Sequence, residues 1–276
     1  MFDSRKIVVA TMHHKEQVLL PLFEKEWNML GVCTTDLNTD LFGTFTGEIE
    51  RQHNPIETAR QKCMKAMDLT NVDLAIASEG SFGPHPTLFF VPADEEWLVL
   101  IDQKNGFEWI HRELSTETNY NSKKISEESE LLDFAKQSLF PSHALILKGE
   151  SSNMTFKGIC DSKELIDKFK LILQKEGRVQ VETDMRAMYN PTRMNVIQMA
   201  GQKLIQKLKS HCPSCTHPGF GVSRAVAGLP CEICGFPTAS TLKYIESCSR
   251  CSFENEIPQP HGKSFESAMY CDLCNP

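Results

Sequence analysis

No stretch of eighteen apolar residues occurs anywhere in the chain, which excludes a membrane-spanning helix by length. The opening Met1-Phe2-Asp3-Ser4-Arg5-Lys6 lacks the apolar core of a secretory signal, so a cytoplasmic protein without a membrane partner is expected. Basic charge is also scarce. The net charge is −7, and residues 211–276 hold only Arg224, Lys243, Arg250 and Lys263 against six acids, about −2 of that total. A nucleic-acid-processing role is therefore disfavoured, since binding a phosphate backbone needs a basic footprint. There is no low-complexity tract and no internal repeat in the first 210 residues, which removes disordered and solenoid classes. What remains is 276 residues, 41% of them hydrophobic, enough for one sizeable α/β core and a smaller second unit.

The periodicity predicts a strand at 7–11, a helix over 15–30 interrupted by Pro21 and stopped by Gly31, and a second strand at 32–35. A loop rich in Thr, Gly and Asp follows. Asn54-Pro55-Ile56-Glu57 starts a helix, because Asn caps, Pro suits the first position and Glu can bond back to the cap. An apolar strand at 73–78 then runs into Glu79-Gly80-Ser81-Phe82-Gly83-Pro84-His85-Pro86, whose small residues and prolines predict a shaped loop. A meander is expected from 87–91, 97–102 and 107–112, with Pro92-Ala93-Asp94 as a turn. Residues 114–129 give no pattern. Helices near 130–139 and 163–175, strands near 144–147 and 178–182, and a helix capped by Asn190-Pro191 complete the set. A mixed central sheet with flanking helices over residues 1–210 is the expected fold class, followed by a small metal-binding module at 211–276.

That module is the strongest signal. Eight of eleven cysteines form the pairs Cys212/Cys215, Cys231/Cys234, Cys248/Cys251 and Cys271/Cys274, with fifteen residues between the first two pairs and nineteen between the last two. Two residues between cysteines let both thiolates of one turn reach a single tetrahedral ion, so two structural zinc ions are expected. Sequential and interleaved pairings of the turns are both open. Gly235 lets the backbone amides turn toward the sulfur, and His211, His217 and His261 are read as bystanders. Cys33, Cys63 and Cys160 are read as core residues.

For chemistry, Glu57 and Glu79 place carboxylates on a helix's first turn and at a strand's C-terminal end, where open α/β sheets bind ligands. Together they could hold Mg²⁺, with Lys62 and Arg60 free for phosphate oxygens. Glu57 is equally a capping residue. Glu182, Asp184, Arg186, Asn190 and Arg193 form a second cluster, either a paired and capped helix start or a clamp in which Arg186 and Arg193 hold a phosphate or carboxylate. His13 and His14 fit a polar turn, and His85 between two prolines is a rigidly placed acid/base candidate.

The segments Lys6-Ile-Val-Val-Ala-Thr11, Glu57 to Lys62 and Ala75-Ile-Ala-Ser-Glu79-Gly80 resemble the opening of the house-cleaning inosine/xanthosine triphosphatases, over about 85 residues. His13 stands where those enzymes carry asparagine, and Lys15 falls one place short of their lysine. The resemblance implies a mixed elongated sheet and Mg²⁺-dependent removal of pyrophosphate from aberrant purine nucleoside triphosphates. In that reading Glu57, Glu79 and Lys62 are catalytic, and Thr11, His13, Lys15, Arg60, Arg186 and Arg193 bind substrate. The whole chain, with its cysteine-rich tail and Glu182-Thr-Asp184-Met-Arg186, is similar to an uncharacterised bacterial family of unknown function. The alternative class is a non-catalytic adaptor whose zinc module recruits a protein partner.

Overall fold

A computed structural model describes residues 1–34, 54–152 and 154–276. The loop expected after the second strand falls mostly outside these residues. The chain divides into two units, Met1–Lys203 and Leu204–Pro276.

The first unit begins with a strand, β1 (Lys6–Val9), a helix, α1 (Glu16–Trp27), and a strand, β2 (Leu30–Cys33), parallel to β1. Pro21 sits inside α1. The helix ends at Asn28, not Gly31: Asn28 takes the left-handed conformation (φ 49°) and donates its N–H to Glu24 O at 2.9 Å. Asparagine tolerates that conformation, and Gly31 instead lies in β2, opposite Ile7. The helix α2 (Pro55–Thr70) starts as its sequence predicts, with Asn54 Oδ1 accepting from Glu57 N at 2.9 Å.

The strand β3 (Leu74–Pro84) pairs in parallel with β1 and antiparallel, along its whole length, with β4 (Pro92–Asp102), which pairs with β5 (Phe107–Ser115). The sheet order is β2-β1-β3-β4-β5. Three expectations are corrected here. Residues 79–84 are ladder, not loop, and Pro92-Ala93-Asp94 opens β4, not a turn. The physical reason is that the two prolines face each other at the ladder's end, Pro84 opposite Pro92, where a missing N–H costs little. The expected strand at 87–91 is the hairpin connection, closed by His85 N to Val91 O at 2.8 Å.

A second sheet, order β6-β9-β7-β8, is antiparallel throughout: β6 (Ser122–Ile125), β7 (Leu145–Lys148), β8 (Thr155–Ile159) and β9 (Val179–Thr183). The helices α3 (Glu128–Gln137) and α4 (Ser162–Glu176) bury Leu131, Phe134, Leu165 and Phe169 against its Ile125, Leu145, Leu147 and Val181. β6 and β8 carried no recognised pattern. The helix α5 (Pro191–Lys209) follows. Of the three unpaired cysteines only Cys63 is buried. Cys33 and Cys160 are exposed, Cys33 because it lies on the sheet's edge strand.

The second unit contains an antiparallel sheet of β10 (Gly221–Ala227), β11 (Thr241–Ser247) and β12 (Glu254–Pro258), with the cysteine turns outside these strands. Among the described residues no helix is long and apolar enough to cross a membrane.

Candidate functional site

β1 stops at Val9, with Ala10 N donating to Ile76 O at 2.8 Å, while β3 continues for eight residues beyond that carbonyl. The overhang opens a space at the C-terminal end of the parallel pair, the position where α/β sheets take ligands. Alternation along β3 divides its side chains between two faces.

On one face α2 packs Ala59, Cys63 and Ala66 against Ala75, Ala77 and Val99. Glu79 continues this face and forms a buried ion pair with Lys62, so two of the three catalytic candidates meet there. Glu57 lies elsewhere on α2. Its carboxylate accepts from Arg60 Nη1 at 3.1 Å, and Arg60 forks onto Glu108 at 2.6 and 2.7 Å. Each carboxylate thus faces a cation of its own.

The other face carries Ser78, Gly80 and Phe82. Lys15, just before α1, donates to Ser78 O at 2.7 Å and Ser78 Oγ at 3.0 Å. Ser78 Oγ donates to Glu96 Oε2 at 3.0 Å, and Arg193 Nε donates to Glu96 Oε1 at 2.6 Å. Arg193 is fully buried and also donates to Met185 O at 2.5 Å. Asn190 Oδ1 caps α5 by accepting from Arg193 N at 3.0 Å. Gly80 permits this layer, since a Cβ there would lie 2.3 Å from Glu96 Oε1 and 2.6 Å from Arg193 Nη2.

Beside the layer lies Asp94, opposite Phe82 in the ladder and completely buried, with no hydrogen bond to either carboxylate oxygen. Burial, reinforced by Glu96 and opposed by Arg193 and Lys15, pushes its carboxyl up to about 8. Against the cost of burial, Arg193 and Lys15 hold Glu96 below the usual carboxylate range. Burial first, then Arg193, lowers Lys15 to about 8. His13, whose N–H donates to Thr11 Oγ1 at 3.0 Å, is pushed down to about 3 by burial and then by Lys15, Arg193, Arg186 and Lys62. It is a neutral imidazole surrounded by cations. Asp94 and Glu96 were not singled out from the sequence, which reads 92–94 as a turn; in β4 they alternate onto one buried face with Leu98, Leu100 and Asp102.

Gly80 and Phe82 also line a cavity of about 450 Å³ together with Tyr120, Asn121, Lys148 and Arg186. Phe82 stacks on Tyr120 with centroids 5.8 Å apart. Arg186 lies over Tyr189 and donates to Asp184 through Nε at 3.0 Å and Nη2 at 2.6 Å. The Asp184–Arg186 pairing is the structural alternative weighed for this cluster, yet the guanidinium still borders the cavity.

In the second unit the cysteines form two tetrads in interleaved order: Cys212, Cys215, Cys248 and Cys251, and Cys231, Cys234, Cys271 and Cys274. Sulfurs approach at 3.7 Å (Cys212–Cys251), 3.6 Å (Cys215–Cys248), 3.9 Å (Cys231–Cys274) and 3.6 Å (Cys234–Cys271). A tetrahedral thiolate site with bonds of about 2.3 Å requires about 3.8 Å between sulfurs, whereas a disulfide requires about 2 Å. Each tetrad can therefore hold a metal ion, and the all-sulfur donor set is consistent with structural zinc. Each turn is closed alike, the residue after the second cysteine donating to the first cysteine's carbonyl: Thr216, Gly235, Ser252 and Asn275, at 2.8, 3.0, 3.0 and 2.8 Å. The first three have φ near +58, +73 and +58°. Backbone N–H groups of Cys234 and Ile233 lower the Cys231 thiol to about 7, toward the thiolate that a metal needs. His211, His217 and His261 belong to neither tetrad.

These features define an α/β protein with a charged site beyond the end of a parallel strand pair and a C-terminal module built to hold two metal ions. The chain belongs to the family described as a domain of unknown function (DUF6671), whose profile matches residues 62–276 and so includes Lys62, Glu79, Asp94, Glu96, Arg193 and all eight tetrad cysteines. No curated protein matches the chain. The crystal structure of protein VC0702 from Vibrio cholerae is similar at a TM-score of 0.28 and 11% identity, covering 72% of this chain and 91% of that one.

Proposed function

We propose that the first unit is a phosphohydrolase that releases pyrophosphate from nucleoside triphosphates, and that the tetrads hold zinc. The observation that carries the reading is the gathering of Lys15, Lys62, Arg186 and Arg193, from separate places in the chain, within electrostatic reach of His13. Lys62, Arg186 and Arg193 are each met by a carboxylate, and Arg186 is the one of the four that borders the neighbouring cavity, which is large enough for a nucleotide.

In this reading Arg186 takes phosphate oxygens, Phe82 with Tyr120 offers an aromatic wall, and Lys15, buried on Ser78, supports the strand beside them. Glu79, held by Lys62 in a buried ion pair, is assigned the positioning of the attacking water, a role that requires substrate binding to open that pair. Water adds to the α-phosphorus, the bond to the bridging oxygen breaks, and pyrophosphate leaves with that oxygen. Among the described residues only the cysteines form a group of three or more metal-ligating side chains, so Glu57 and Glu79 are not a ready-made magnesium cage. Magnesium binds elsewhere through one or two carboxylates plus substrate phosphates. If magnesium came with the triphosphate, Glu79 is a carboxylate that could hold it, and the ion would supply charge neutralisation.

The test is calorimetric titration of the zinc-loaded protein with pyrophosphate and with a non-hydrolysable nucleoside triphosphate. Binding should weaken about tenfold in Arg186→Gln, the usual scale for one charge-assisted contact. Absence of binding, or binding indifferent to Arg186→Gln, overturns the reading.

A further inference from the structure

The two tetrads share a geometry and differ in what they display. In the first, the residues between the cysteines are Pro213-Ser214 and Ser249-Arg250; in the second they are Glu232-Ile233 and Asp272-Leu273. The repeated acid–aliphatic pair is exposed in both turns of the second tetrad, with Ile233 74% and Leu273 62% accessible. Further apolar residues are exposed alongside. Cys231 bridges to Glu266 and Glu232 N donates to Glu266 O at 2.9 Å, which lays the exposed Phe265 next to the first turn. Asn275 Nδ2 donates to Met269 O at 2.9 Å, which ties Met269, 64% accessible, to the second.

A metal-fixed turn cannot collapse to hide its tips, so this apolar platform is a rigid feature of the surface, and platforms of this kind mark interaction sites. Its rim is acidic on balance: Glu232 and Asp272 are both exposed, and the cation in the neighbouring segment, Lys263, is paired with Glu266 at 3.3 Å. The partner must combine an apolar anchor with positive charge. We infer that the second cysteine tetrad presents a docking platform for a basic amphipathic segment of another protein, seated on Ile233, Leu273 and Met269 and framed by Glu232 and Asp272. Charge complementarity argues against an anionic lipid surface and against a second copy of the same acidic patch.

The experiment is selection from a displayed random-peptide library on the full-length, zinc-loaded protein, with counter-selection against the double variant Ile233→Ser, Leu273→Ser. Both side chains are exposed, so the variant should keep two metal ions per chain. Selected peptides should carry Lys or Arg flanking aliphatic or aromatic residues, lose about tenfold or more in affinity on the variant, and weaken as salt is raised. In Asp272→Lys the preference for basic peptides should fall. Failure to select peptides, peptides without basic character, or equal binding to the variant overturns the proposal. So does patch-dependent dimerisation in sedimentation, or patch-dependent binding to phosphatidylcholine vesicles, since either assigns the platform to another occupant.

Discussion

Asp94 is the residue whose position asks most of the fold. A fully buried carboxylate without a hydrogen bond is costly when charged, and its carboxyl is pushed up to about 8. In the unfolded chain the same group ionises near 4. Between those values the folded state holds a proton that the unfolded state has released, so this residue's contribution to stability falls as pH rises from about 4 to about 8, while His13, neutral in the fold down to about 3, works the opposite way below about 6.5. Urea denaturation at intervals across that range should show the natural protein losing stability relative to Asp94→Asn as pH rises, the difference changing by on the order of a few kcal/mol between its ends. Parallel profiles would show that Asp94 has a partner. Gly80 makes the complementary case. Gly80→Ala drives a methyl into Glu96 and Arg193, and a loss of about 2 to 4 kcal/mol is expected in the same measurement. Retention of full stability would mean that the Glu96–Arg193 layer can move aside.

At the scale of elements, the interleaving of the cysteine turns has a direct consequence in metal count. Cys212→Ala with Cys248→Ala removes two ligands from one tetrad and should leave one ion per chain, whereas Cys212→Ala with Cys231→Ala damages both and should leave fewer than one. Elemental analysis of purified variants separates these outcomes, and sequential pairing would exchange them. The turns themselves were readable because C-x-x-C spacing is fixed by the reach of two thiolates, but which turns share an ion depends on how β10, β11 and β12 carry them, and spacing does not encode that. The same limit governs the rest of the chain. Asn54 and Asn190 announced the starts of α2 and α5 because capping is local. Residues 79–94 misled because Gly80, Gly83, Pro84 and Pro92 are common in loops, and only the long-range pairing of β3 with β4 makes them a ladder. Asp94 and Glu96 went unnoticed for that reason, since their alternation has meaning only once 92–102 is known to be a strand.

At the scale of the whole molecule, the resemblance that suggested a nucleotide hydrolase rested on the first 85 residues, while the site assembled in the fold also draws on Glu96, Arg186 and Arg193, far along the chain. Residues so distant in sequence become neighbours because β4 and α5 deliver them to the face of β3 opposite α2. That face, with its buried Lys15–Ser78–Glu96–Arg193 chain of contacts, holds the layer rigid beside the cavity. Lys62 and Glu79 occupy the other face, where they form a buried ion pair. The most direct measurement is product analysis of the full-length, zinc-loaded protein with Mg²⁺ and a panel of ordinary and deaminated nucleoside triphosphates, alongside Glu79→Gln. The account predicts pyrophosphate and nucleoside monophosphate as products, with turnover reduced by about a hundredfold or more in the variant, the scale of a lost acid/base contribution. Silence across the panel, in folded protein with two metal ions per chain, or pyrophosphate release that survives Glu79→Gln unchanged, would contradict it.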